Sequence, residues 1–271
     1  QAYVLEFGNN YIRFLKDNGQ ITEATKTISG VTAANPAVVT ATSHGYSDGD
    51  DVWIADVVGM TRLNGRRFTV ANKTTHTFQL TGENSTSYTA WSSGGTASKT
   101  YQITTTYTSA ELYDLQFTQS ADVMYIVHPD HPPAKLSRTA HTTWSLDDVA
   151  FTNGPYLDAN TTATTLTPAS AGTGTGVNIT ASAVTGINNN VGWLATDIGR
   201  EISFNSGKAT ITARTNSTVA VATITTAFTN TNATVAFQLD AWSGTTGYPR
   251  TVSFFEQRLV FGGSESYPQT I

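Results

Sequence analysis

The sequence predicts an all-β protein: a platform of β-hairpins, partly β-propeller-like, carrying two inserted small β-barrel or β-sandwich domains. Three observations lead there. Thr, Ser, Asn and Gly are abundant while charged residues make up only 13% of the 271, and β-branched residues mixed with turn formers favour strands joined by tight turns. No stretch of about ten to fifteen residues keeps a 3.6-residue apolar period, which argues against long helices. Several short segments alternate apolar and polar residues, the period of a half-buried strand.

The alternating segments come first in the chain and return twice: "YVLEFGNNYIRFLKDNGQI" (3–21), "ELYDLQFTQSADVMYIVHPDHPPAKL" (111–136) and "YPRTVSFFEQRLVFGG" (248–263). Each holds two apolar runs around a polar break: Gly8-Asn9-Asn10, Gln119-Ser120-Ala121-Asp122 and Glu256-Gln257. Each therefore reads as a hairpin, with Tyr3, Leu5 and Phe7 on one face of the first. A second, Thr- and Gly-rich texture interrupts this array at 31–98 and again at 159–243, the latter opening with "TTATTLTPASAGTGTG". The boundaries expected are platform hairpins at 1–30, 99–158 and 244–271, with one inserted domain at 31–98 and another at 159–243. Insertion into an exposed loop is cheap because closure entropy grows slowly with loop length.

Within the first insertion, Pro36–Thr42 reads as a strand, His44-Gly45-Tyr46 as a corner and Asp48-Gly49-Asp50 as a turn. Val52–Val57, Arg66–Ala71 and His76–Thr81 read as further strands. Asn64-Gly65 is a hairpin turn signal, because both residues tolerate positive φ. Met60 and Leu63 are expected to plug the core.

Candidate chemistry is thin. His128-Pro129-Asp130-His131, with His141 nearby, offers metal-ligand types, but Pro132 and Pro133 suggest a stiff loop after a strand. "SHGYSDGDD" is rich in oxygen ligands yet lacks the alternation and closing Glu of a calcium loop. Asp147, Asp148, Glu201 and Asp240 are available carboxylates, with nothing in the sequence to pair them across a cleft. "GTGTG" has no helix behind it and reads as a linker rather than a phosphate cradle. Trp53, Trp91 and Trp242 could stack on sugars or sit in a core. Asn-x-Ser/Thr triplets start at Asn72, Asn84, Asn160, Asn178, Asn216 and Asn232, close to the number chance provides. No catalytic, cofactor-binding or metal-binding residue is assigned, and no cofactor is expected. The net charge of −5 and the scattered Lys and Arg argue against tight nucleic-acid binding. With no cysteine there is no thiolate chemistry, and no apolar run is long enough to span a membrane.

His44-Gly45, Gly49-Asp50, Gly59-Met60, Leu63-Asn64-Gly65, Phe78 and Gly94-Gly95 together resemble the first catalytic cysteine half-domain of ubiquitin-activating enzymes, over residues 36–98. Without a cysteine or an adenylation domain, no ubiquitin chemistry carries over. The same module is similar to insertions in bacteriophage tail proteins. The hairpin segments, above all "PRTVSFFEQRLVFGG" with the closing "PQTI", resemble nozzle or tail tubular protein B-type proteins of short-tailed phages. "WLATDIGREISFNSGKATITARTNSTVAV" (193–221) resembles a second insertion seen in that family. The resemblance implies a non-enzymatic virion protein of the phage tail, forming a homo-oligomer, in full length a hexameric ring around the DNA ejection channel. It also implies contact with neighbouring tail proteins, and transient passage of DNA without tight binding. Too few hairpins are present for a complete propeller, and the chain begins and ends within motifs, as a piece of a longer polypeptide would. A carbohydrate- or receptor-binding module of a virion or cell surface, meeting a host surface glycan, is the alternative.

Overall fold

The structure is a computed structural model that describes residues 2–152 and 154–268; Gln269, Thr270 and Ile271 of the "PQTI" motif lie outside the described residues. It is an all-β protein: antiparallel sheets joined by turns, with only three short 3-10 turns and no α-helix among the described residues. Two compact units form, residues 1–112 with 138–144, and residues 113–137 with 145–271.

In the first unit the strands Val4–Gly8 and Tyr11–Lys16 make a hairpin in register Val4↔Leu15 to Gly8↔Tyr11. Its turn places Asn10 at φ 62, a conformation Asn tolerates because its side chain can bond locally. Val4 is 66% exposed while Leu5 and Phe7 are half-buried, the alternation the sequence carries. Gln102–Thr104 adds a strand on the far side of Tyr11–Lys16. A seven-stranded sheet follows, in the order Lys26–Thr27, Ser93–Lys99, Asp51–Val58, Arg66–Ala71, Thr77–Leu80, Val38–Thr40, Gly30–Val31. It curls around a core that includes Ile54, Met60, Leu63, Phe78 and Leu80, each at most 1% exposed. The incoming strand Lys26–Thr27 pairs with the outgoing strand Ser93–Lys99, with Thr27 opposite Thr96.

The second unit contains a six-stranded sheet in the order Leu166–Pro168, Gly174–Ala181, Val219–Thr226, Gly207–Arg214, Glu201–Phe204, Phe237–Leu239. Its core gathers Ile179, Ile202, Ile211 and the fully buried Trp193. Here too the chain arrives beside its departure: Leu157 donates its amide to the Leu239 carbonyl, and Tyr156 bridges Asp240. Thr251–Phe255 and Arg258–Gly262 form a two-stranded hairpin around Glu256 and Gln257, at φ 45 and 64. A pair of strands is marginal alone in water; this one packs on Gln116–Ser120 and Val123–His128, with Phe254 edge-on to Tyr125 at 6.0 Å.

Two local expectations are corrected. Pro132 and Pro133 open the strand His131–Ala140 rather than forming a loop. Proline is compatible with a strand start, and the ladder is already irregular between Ile126 and His128. The "GTGTG" run is not a linker: from Gly174 it enters the strand Gly174–Ala181, with a register shift between Gly174 and Val177. Glycine permits the bulge that low complexity in sequence conceals.

Candidate functional site

The stretch from Val57 to Phe68 is a corner between strands, held by three devices. Met60 and Leu63 fill the core at 1% and 0% exposure, as expected, one just before the 3-10 turn Thr61–Leu63 and one at its end. Gly59 sits at φ +87, where an added Cβ would lie 2.2 Å from the Ala90 carbonyl oxygen. Asn64 corrects the expectation of a turn position with positive φ: its φ is −64, and only Gly65, at φ +71, is left-handed. Asn64 is needed instead for its amide, which accepts the Val57 N–H at 2.8 Å and donates to the Val57 carbonyl at 2.9 Å. The neighbouring His44 is buried, accepting the Tyr46 amide on Nδ1 and donating from Nε2 to the Thr77 carbonyl. Burial pushes the Tyr46 phenol up to about 12, and its hydroxyl donates to the Ala97 carbonyl.

The carboxylates of "SHGYSDGDD" have protein partners. Asp48 accepts the Lys73 amide, Asp50 accepts the Ser47 amide and pairs with Lys99 at 3.3 Å, and Asp51 pairs with Arg13 at 2.7 Å. Arg66 and Glu83 form a two-pronged ion pair at 2.8 and 2.7 Å, joined by the Tyr88 hydroxyl. The Arg66 hydrogen bonds hold the Glu83 carboxyl below its ordinary value. Of the histidines, His128 and His131 bring their rings to 5.1 Å, while in the first unit His141 hydrogen-bonds the Tyr3 hydroxyl.

Of the candidate carboxylates, the structure brings together Glu201 and Asp240. They lie opposite each other, the next pair beyond Ile202↔Leu239, and the Asp240 amide donates to the Glu201 carbonyl. Opposed residues of antiparallel strands share a face. Burial, aided by the charge of Glu201, pushes Asp240 up to about 6, while Glu201 takes the Tyr156 hydroxyl and pairs with Lys208 at 3.2 Å. Asp147 and Asp148 end the separate strand Thr143–Asp148.

A concave feature built mostly from residues the sequence did not single out lies beside this pair. Two clefts of about 410 and about 470 Å³ share Leu157 and Tyr267 as a common wall. The first is lined by Tyr156, Asp158 and Trp242, the second by the loop Asn188–Val191 and by Thr245 and Thr246. Asn188, Asn189 and Asn190 stand at φ 48, 54 and 70, a run of left-handed residues that Asn accommodates better than most. Beneath them Asp197 and Arg200 form an ion pair with both side chains 0% exposed. The run Asn188-Asn189-Asn190 was the available signal; its polarity reads as an ordinary loop until the buried pair beneath it is seen.

The Asn-x-Thr triplets also prove structural. At Asn84, Asn160 and Asn216 the side-chain oxygen accepts both the amide and the hydroxyl of the Thr two residues on. These are Asx turns, a role the frequency of the triplets cannot reveal.

Residues 34–100 match the family of the ubiquitin-activating enzyme E1 FCCH domain, a stretch of about a quarter of the chain. The match covers five of the seven strands of that sheet and its Gly59–Gly65 corner. No curated protein matches the chain. No helix among the described residues is long and apolar enough to cross a membrane.

Proposed function

We propose that this chain is a structural, non-catalytic component of a short-tailed phage tail, a nozzle-type subunit that joins copies of itself in a ring around the DNA channel. It is a virion protein in this reading and also meets neighbouring tail proteins. The observation that carries the reading is a set of exposed aromatics on the small hairpins of the second unit. Phe117, Phe254 and Phe255 are 62%, 36% and 66% exposed on paired, mutually packed hairpins. Large exposed aromatics on sheets this small are what a neighbouring subunit covers. Two further features support it. In the first large sheet the entering strand pairs with the leaving one, and at the second Tyr156, ahead of the sheet, bridges Asp240, just past it; both suit domains at 31–98 and 159–243 inserted into hairpins of a platform at 1–30, 99–158 and 244–271. The net charge of −5 suits a wall past which DNA slides, since basic walls would hold phosphates.

The test is oligomeric state by mass photometry with negative-stain imaging, on the protein and on Phe255→Asp. Rings that disperse in Phe255→Asp, with unchanged circular dichroism, are expected. Monomers at every concentration in both proteins would sink the reading.

A further inference from the structure

We propose that the second unit carries a binding groove for a neutral oligosaccharide, running from Tyr156 and Trp242 past Tyr267 to the Asn188–Asn190 loop. This goes beyond the tail-subunit reading and does not depend on it. The two clefts adjoin across Leu157 and Tyr267, and each has a volume within the range of about 300–1,000 Å³ usual for ligand sites.

The chemistry of the lining selects the occupant. A sugar ring presents an apolar C–H face and a rim of hydroxyls that both donate and accept. Tyr156, Trp242 and Tyr267 supply flat apolar surface for the first, and the Trp242 N–H and Tyr267 hydroxyl are polar tips for the second; the Tyr156 hydroxyl donates to Glu201. Asn189 and Asn190 carry side-chain amides, which donate and accept at once, while the Thr245 and Thr246 hydroxyls already donate to Asp197 and to the Ala241 carbonyl. Asp158, exposed at one end, accepts from a pair of vicinal hydroxyls. Among the described residues no Lys, Arg or His lines either cleft, so a phosphate or a nucleic-acid strand finds no cation among them.

The walls are fixed before any ligand arrives. Asn188 donates to the Asp197 carboxylate at 2.6 Å and accepts from Arg200 at 2.7 Å, and Thr245 donates to the same carboxylate at 2.8 Å. Two loops that face the groove are thus pinned to one buried ion pair. Such a pair is a poor source of stability, because desolvation offsets much of its attraction; positioning the loops gives it a reason to be there. Preorganised walls reduce the ordering that binding would otherwise require.

The experiment uses the whole chain, fluorescently labelled, on an array of neutral and acidic glycans, followed by titration of the best neutral hit against intrinsic tryptophan fluorescence. Saturable binding to neutral glycans, insensitive to salt, is expected. Trp242→Ala should weaken it by about tenfold or more. Because Trp242 also packs on Phe151 and Phe261, a second variant guards against misfolding: Asn189→Gly removes the amide and keeps the left-handed backbone. It should weaken binding while the melting temperature holds, and Trp53→Ala in the first unit should bind as the parent does. No glycan bound, binding only to acidic glycans, or equal binding by Trp242→Ala and Asn189→Gly would each overturn the proposal. Ring formation is read separately by mass photometry, so loss of one reading leaves the other to stand or fall alone.

Discussion

The side chain of Asn64 satisfies both backbone polar groups of Val57, accepting its amide and donating to its carbonyl across the corner that joins two strands of the first unit. Asn64→Val should therefore destabilise this unit by roughly 2–4 kcal/mol, because two groups in a buried setting lose their partner. Asn64→Gly should be nearly as damaging, which separates lost hydrogen bonding from backbone strain. At Gly59 even the smallest side chain meets the Ala90 carbonyl, so Gly59→Ala should match Gly59→Val instead of costing the ~1 kcal/mol of a simple left-handed position. Urea unfolding of the four variants checks both points; a mild Gly59→Ala would refute the close approach.

The Arg66–Glu83 pair predicts an acid sensitivity. Its folded-state carboxyl titrates below the ordinary value, so the stability it contributes is present above the unfolded Glu range and disappears as pH falls through the folded value. Glu83→Gln should lower stability by about 1.5–3 kcal/mol at neutral pH. The difference from the parent should close under acid. A constant difference from neutral to strongly acidic solution would show that the charge is irrelevant.

Asp240 runs the other way. Its carboxyl is raised from 3.8 to about 6 by burial, so the folded state holds the proton more tightly than the unfolded chain. Its favourable contribution is complete below the unfolded value and is lost as pH climbs through about 6. Asp240→Asn should be neutral near pH 3.8 and gain up to roughly 3 kcal/mol above pH 6, since Asn can still accept the Trp242 amide. Chemical denaturation on either side of that window decides it, and a variant less stable at neutral pH would reverse the argument.

The strands were legible where alternation and turn residues coincide: the Asn9-Asn10 and Glu256-Gln257 hairpins and the strand Arg66–Ala71 fall where the pattern puts them. Met60 and Leu63 in the core were legible too, since a large apolar residue in a tight corner has few other places to go. Asn64 was misread because Asn-Gly usually signals a two-residue turn, whereas the 3-10 turn before it already reverses the chain. The groove was not legible beyond Trp242. Its walls come from four segments, around residues 155–158, 186–194, 239–246 and 264–267, which pairings such as Tyr156 with Asp240 bring together.

Weak DNA binding follows from charge. Fifteen Lys and Arg against twenty Asp and Glu leave no surplus, and several of those cations are paired with carboxylates, Arg13, Arg66 and Arg200 among them. At physiological salt the protein should bind duplex DNA at about 10⁻⁴ M or more weakly. Fluorescence anisotropy with a short labelled duplex measures it. Submicromolar affinity that falls steeply with added salt would reveal a basic face and undo the conduit argument.

At both large sheets the chain departs beside where it arrived, the strand Lys26–Thr27 against Ser93–Lys99, and Tyr156, ahead of the second sheet, against Asp240, just past it. Neighbouring strands lie about 4.8 Å apart, a gap that a turn of two residues closes. Each sheet is thus a cassette with both terminals on the same side. If the sheets are the inserted domains proposed above, one should be replaceable by a short turn, or by an unrelated domain whose ends also meet, without shifting the register of the hairpins that carry it. The scaffold can be refitted one plug at a time.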